Sequence, residues 1–68
     1  MEFYIRLKEL RGRTGEKQTE VADAVGCTLR QYQRFEKGEQ KPGFANLWAL
    51  ADHFGVTVDY LMGRADEN

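Results

Sequence analysis

The sequence predicts an all-α fold of five short helices with no sheet, and three observations carry that expectation. Apolar residues recur at helical spacing in five separate stretches, with no alternating pattern of a strand among them. Glycines stand where those stretches stop, at Gly15, Gly26, Gly38, Gly55 and Gly63, positions that suit a left-handed helix end. Thr28 and Thr57 precede the third and the last stretch as N-caps.

Taken in order, residues 2–13 read as the first helix, with Phe3, Leu7 and Leu10 as its buried stripe. Tyr4 and Ile5 fall off that stripe, either as scattered surface groups or as a partner contact. Gly12 and Gly15 bracket the exit. Gln18 to Val25 forms the second helix, burying Val21, Ala22 and Val25. Its start is poorly signalled, because Lys17 occupies the N-cap position and its cation opposes the helix dipole. Lys17 is either committed to a phosphate at that helix end or a tolerated defect. The third helix runs from Thr28 to about Lys37–Gly38, and Glu39 to Gly43, containing Pro42, is a loop. The fourth helix, Phe44 to Phe54, is expected to turn Phe44, Leu47, Leu50, Ala51 and Phe54 inward, with Trp48 at the core edge. Val58 and Leu61 face inward from a last short helix.

Composition bounds the function. Sixty-eight residues allow one domain with a small core, expected over residues 1–63 with 64–68 as a fraying polar tail. Hydrophobic residues at 41% and charged ones at 31% fit a folded chain. No apolar run approaches a membrane span and no signal segment opens the chain, so a cytoplasmic location without membrane partners is expected. Cys27 is alone and suits a reducing compartment. With His53, read as a half-exposed helix residue, it cannot supply a four-ligand zinc site, and no metal or other cofactor is expected. The pairs Glu20–Asp23 and Asp52–His53 fall on solvated helix faces, so no enzyme is expected.

The third helix carries the chemistry. Tyr32 and Phe35 point to one side, with Thr28 beside them, while Arg30, Gln33 and Arg34 point to the other and Leu29 lies at the edge. Guanidinium and amide groups on one face suit the edges of bases, where Arg pairs with guanine and Gln with adenine, and both reach phosphate. The formal net charge of −1 argues mildly against nucleic acid. Its distribution argues the other way. Arg30, Arg34, Lys37 and Lys41 outweigh Glu36 and Glu39 in residues 28–41, whereas residues 52–68 are acidic. The excess is modest, so the expected affinity is modest and salt-sensitive.

With these residues in place, the chain resembles the phage-repressor family of helix-turn-helix proteins, the lambda-repressor and Cro type (XRE-type). The resemblance covers residues 3–63 through Arg6-Leu-Lys-Glu-Leu-Arg11, Gln18-x-x-Val-Ala22, Val25-Gly26, Arg34-Phe-Glu-Lys-Gly38, Lys41-Pro42, Leu50-Ala51 and Phe54-Gly-Val-Thr-Val-Asp-Tyr-Leu-Met-Gly63. It implies a compact five-helix domain with its helix-turn-helix at about residues 18–37, encoded by a bacterium or phage and associated with the nucleoid. By that resemblance Gln18 bonds a backbone phosphate, and Leu29, Arg30 and Arg34 reach base edges with Thr28 and Gln33 nearby. It also implies a partly buried ion pair between Arg11 and Glu36. Glu16 stands where the family usually has an apolar residue and Lys17 where it usually has Thr, so the start of the second helix is expected to differ. Leu29 is apolar at a base-facing position and either meets a thymine methyl or packs.

The function so implied is that of a sequence-specific regulator of transcription, a repressor bound to double-stranded DNA as a weak homodimer on a two-fold operator. The competing expectation is a protein-interaction module, antitoxin-like or anti-repressor-like, that keeps the fold with weak DNA binding. The DNA-facing set is Lys17, Gln18, Thr28, Leu29, Arg30, Gln33, Arg34, Lys37 and Lys41. Val56, Tyr60 and Met62 are more apolar groups than a small core can hide alongside Val58 and Leu61, and they are the expected dimer contact.

Overall fold

In the computed structural model, which describes residues 1–66, five helices follow one another: α1 (Phe3–Thr14), α2 (Gln18–Val25), α3 (Leu29–Lys37), α4 (Phe44–Phe54) and α5 (Val58–Leu61). There is no strand among the described residues. Among the described residues no helix is long and apolar enough to cross a membrane.

The core is drawn from all five elements: Leu7 and Leu10, Val21 and Ala22, Tyr32 and Phe35, Leu50 and Ala51, Tyr60 and Leu61. α3 packs on α1 and α2, α4 on α2 and α5, and α5 returns to α1. So short a chain closes its core only because α5 comes back to cover the first helix.

The helix ends follow local chemistry. Thr28 and Thr57 accept from the N–H groups of Gln31 and Tyr60, both at 3.0 Å. α1 runs one residue later at each end than the sequence suggested; Gly12 lies within it, and Gly15 makes the left-handed stop at φ 73°. Gly38 has two reasons to be glycine. Its φ is +74°, and a Cβ there would lie 2.9 Å from Tyr4 Cδ1. Tyr4 is therefore half-buried against the end of α3, whereas Ile5 is exposed. Arg64 and Ala65 donate their N–H groups to the Asp59 carbonyl at 2.9 and 3.3 Å. The expectation for the last two tail residues, 67–68, lies outside the described residues.

Three expectations about burial need correcting. Phe44, placed inward by the helical pattern, is 78% exposed, and Trp48 is 54% exposed with its ring centroid 5.7 Å from that of Phe44. The large apolar residues of α4 span about 160° of its circumference at 100° per residue; Phe44 and Trp48 lie at one edge of that stripe, and α2 and α5 cover the rest. Tyr60, expected at the surface, is 8% exposed. The Arg6 guanidinium lies 3.9 Å over its ring, and Arg13 Nη1 donates to its hydroxyl at 3.4 Å. Arg6 is itself buried and its Nη1 has no hydrogen-bond partner; the face of the Tyr60 ring takes that place by cation–π attraction.

Candidate nucleic-acid interface

The turn into α3 is built at Gly26, which ends α2 in the left-handed region at φ 79°, and at Cys27, whose N–H donates to the Ala22 carbonyl at 3.0 Å. Burial pushes the Cys27 thiol pKa up and keeps it a protonated, packed group. From there α3 presents opposite faces. Tyr32 and Phe35 have no exposed surface, and Glu36 is buried beside them. Arg30, Arg34 and Lys37 are exposed, Gln33 is half-buried, and Leu29 is 38% exposed on the outer edge. Packing thus leaves Leu29 available for an apolar contact outside the domain.

Glu36 fixes the helix from beneath. Arg11 grips its carboxylate with both arms, Nε to Oε2 at 2.6 Å and Nη2 to Oε1 at 3.0 Å. The Tyr32 hydroxyl donates to Oε2 at 2.5 Å, and Gln18 Nε2 donates to Oε1 at 3.0 Å. One carboxylate therefore ties α1, α2 and α3 together. Burial by itself raises the Glu36 pKa, but the donors from Arg11, Tyr32 and Gln18 outweigh it and hold the group below the usual carboxylate range. Burial, and then the carboxylate next to it, pushes the Tyr32 phenol well above its ordinary value. The Arg11–Glu36 pair implied by the resemblance is present, in a bidentate geometry that an Arg to Lys change would lose.

The N-terminus of α2 is better built than its sequence suggested. Glu20, three residues beyond the cap, accepts from the Lys17 N–H at 2.7 Å, one half of a capping box. The Lys17 side chain is exposed and makes no ion pair or hydrogen bond among the described residues. Upstream, Arg11 Nη1 donates to the Glu16 carbonyl at 3.2 Å. The Glu16 carboxylate meets His53 Nε2 at 2.8 Å and accepts from Thr14 Oγ1 at 2.8 Å. Thr14, with a further contribution from His53, lowers the Glu16 pKa despite its partial desolvation. That is the physical reason for a carboxylate at this position. It bridges the α1–α2 loop to α4 where an apolar side chain would pack.

Gln18 and Gln33 join the two helices at the outer edge, with Gln33 Nε2 donating to Gln18 Oε1 at 3.3 Å. Gln18 spends one amide hydrogen on Glu36 and keeps the other. This link was not legible in the sequence, because the two residues lie on different helices. Thr28, Arg30, Gln33, Arg34 and Lys37 lie on or at the start of α3, Lys17 and Gln18 at the start of α2, and Lys41 in the α3–α4 loop. Arg30, Arg34, Lys37, Lys41 and Lys17 form no ion pair among the described residues, whereas Arg11 and Arg13 are paired with Glu36 and Glu9. Five unneutralised cations on exposed positions attract a polyanion. With its side chains a helix is about 10–12 Å across, which the ~12 Å major groove of B-DNA admits.

Comparison with known proteins agrees with this architecture. The family profile described as Helix-turn-helix matches residues 7–61. The chain is 36% identical over 70 residues to the cryptic phage CTXphi transcriptional repressor RstR of Vibrio cholerae, covering 100% of this chain and 62% of that protein. It is 35% identical over 60 residues to YonR, an SPbeta prophage-derived uncharacterized HTH-type transcriptional regulator of Bacillus subtilis, covering 88% of this chain and 56% of that one. It therefore spans about six-tenths of the length of these relatives. Among solved structures, the P22 c2 repressor in complex with a synthetic operator superposes with a TM-score of 0.90 at 23% identity, over 96% of this chain and 98% of that one, a likeness of fold. A transcriptional regulator from Listeria innocua superposes with a TM-score of 0.88 at 28% identity, over 98% of this chain and 63% of that one. By its helix order, its motifs and these matches, the chain belongs to the helix-turn-helix family, phage-repressor type.

Proposed function

We propose that this chain is a sequence-specific double-stranded DNA-binding regulator of transcription, a repressor that works in the cytoplasm as a homodimer on a two-fold operator. The observation that carries the reading is the clamped α3. Its inner face is held by Glu36, and its outer face offers Arg30, Gln33 and Arg34 with no acidic partner. A rigid helix loses little freedom on docking, so its side chains arrive at the groove already placed. Arg30 and Arg34 read base edges, Leu29 supplies an apolar contact to a thymine methyl, and Lys17, Lys37 and Lys41 hold phosphates. The amide hydrogen that Gln18 keeps goes to the backbone. Repression is steric, and no catalytic step or cofactor enters. RstR carries the name of a phage transcriptional repressor, and P22 c2 was crystallised on an operator; both support the reading.

Selection from random duplexes, followed by binding at graded salt, tests it. Three lysines per copy, doubled on a two-fold operator, predict that log K falls with log salt at a slope of about −5. An enriched motif with dyad symmetry is the expected outcome. A flat salt dependence with no enriched motif sinks the proposal and hands the fold to a protein-interaction role, which the exposed Phe44 and Trp48 would then serve.

A further inference from the structure

His53 is the only histidine in the chain. From α4 it sets Nε2 at 3.0 and 2.8 Å from the two carboxylate oxygens of Glu16, a contact between half-buried side chains 37 positions apart. Glu16 stands immediately before Lys17 and Gln18, which carry the phosphate contacts of α2 on the reading above. Its backbone carbonyl accepts from Arg11 Nη1 at 3.2 Å and its carboxylate from Thr14 Oγ1 at 2.8 Å. The Lys17 N–H is held in turn by Glu20. The start of α2 is thus tied to α1, to α4 and to its own first turn. An anion at this place works against a polyanion unless a cation covers it. A charged imidazole covers it, and a neutral one does not.

We propose that Glu16 and His53 form a proton-controlled latch that positions Lys17 and Gln18 on the DNA backbone, so that binding strengthens as the pH falls from about 8 to about 6. The inference rests on the DNA-binding reading above and adds its regulation. Histidine is the side chain that ordinarily gains its charge between about pH 8 and pH 5. Protonation makes the Nε2–Glu16 hydrogen bond charge-assisted on both sides, roughly twice as strong as a neutral one. It also cancels the carboxylate charge beside Lys17. Thr14, and then His53, hold Glu16 below the usual carboxylate range despite its partial desolvation, so the anion persists across the whole window. Both consequences favour Lys17 on a phosphate. The neighbouring charges leave the pair to itself. Arg11 is committed to Glu36 and Glu20 to the Lys17 N–H. Asp23 on α2, Asp52 on α4 and Asp59 on α5 form no ion pair with His53 among the described residues.

The experiment is fluorescence-anisotropy binding of mixed-sequence duplex DNA between about pH 8 and about pH 6 at one fixed salt, for wild type, His53→Gln, Glu16→Gln and Lys17→Ala, with circular dichroism at each pH. Wild type should gain about three-fold in affinity across the window, the scale of one partly exposed ion pair. His53→Gln should hold the weaker, high-pH affinity throughout. Glu16→Gln should bind more tightly than wild type at high pH and lose most of the response. Lys17→Ala should bind more weakly at every pH and lose the response too. A wild-type affinity that stays flat overturns the latch. A response that Glu16→Gln keeps in full makes His53 a lone surface charge, and one that Lys17→Ala keeps in full acts somewhere other than the start of α2; either overturns it. A response that His53→Gln keeps belongs to the α-amino group, which also titrates in this window, and overturns it as well. Should a variant unfold, wild type alone still decides. Coupling is reciprocal, so the His53 ring resonances must titrate at higher pH with duplex bound than without it, and an unmoved titration overturns the latch. A chain that binds no duplex at any pH overturns the DNA-binding reading and this inference together.

Discussion

On the proposed reading, single side chains on α3 and its flanks divide into those expected to read sequence and those expected only to hold the duplex. Arg30 is exposed on the outer face of a helix held from below, and Lys41 stands in the loop beyond it. Arg30→Ala should cost ~1–3 kcal/mol on the selected site and relax preference at one base pair. Lys41→Ala should weaken all sequences alike and flatten the salt slope by about one unit per bound copy. Competition binding across single-base variants of the site separates the two; uniform losses from both would remove Arg30 from the base-reading set. Glu20→Ala probes the other end of the interface. It leaves the Lys17 N–H without its 2.7 Å partner, and a loss of ~0.5–2 kcal/mol in denaturant unfolding is expected, as for other helix caps.

Beneath α3, Glu36 accepts from Arg11, Gln18 and Tyr32 and so ties the helix to α1 and α2. Its folded-state pKa lies below the ordinary carboxylate value. The stability it contributes is therefore present above the unfolded pKa of ~4.3 and is lost as pH falls through the lower, folded value. Glu36→Gln keeps the shape but leaves Arg11 without an anion, and should cost ~1.5–3 kcal/mol at neutral pH. Unfolding curves for wild type and Glu36→Gln should converge as the pH is lowered through that window. Glu16, also depressed, titrates equally in both proteins and cancels from the difference. A gap that persists unchanged into strong acid would show that the carboxylate charge is not what stabilises α3. The end of the same helix offers a second check. Gly38→Ala must accept a left-handed backbone and push the Tyr4 ring, 2.9 Å from the new Cβ, so a loss of at least ~1 kcal/mol is expected in thermal unfolding.

At the scale of the whole molecule, two aromatic residues near the C-terminal end play opposite parts. Tyr60 closes the core by joining α5 to α1 through Arg6 and Arg13. Trp48 stands outside it. Tyr60→Glu should therefore unfold the monomer, since a carboxylate under Arg6 would lose both the ring face and the apolar contacts of its neighbours. Trp48→Arg should melt within about 0.5 kcal/mol of wild type, as surface changes do. Circular dichroism melts on the two variants check this. A folded Tyr60→Glu protein that fails only to dimerise would restore Tyr60 to the dimer surface.

Much of this protein is determined by local chemistry and was readable from residues alone. The five helices, their glycine stops, the Thr28 cap and the outward set of Arg30, Gln33 and Arg34 all follow from interactions within a few positions along the chain. Helical spacing near Tyr32 and Phe35 leaves only one face of α3 to bury. α4 is different. Phe44, Leu47, Trp48, Leu50, Ala51 and Phe54 spread over about 160° of its circumference at 100° per residue, so periodicity cannot say which part of that stripe is buried, and only the arrival of α2 and α5 decides that Leu50 is covered and Phe44 is not. The same holds for Tyr60 under Arg6, for His53 on Glu16 and for Gln33 on Gln18. Each joins groups 15 or more positions apart, and neither partner's local pattern carries the other's address. The tertiary structure alone decided those contacts, because they form only when helices meet.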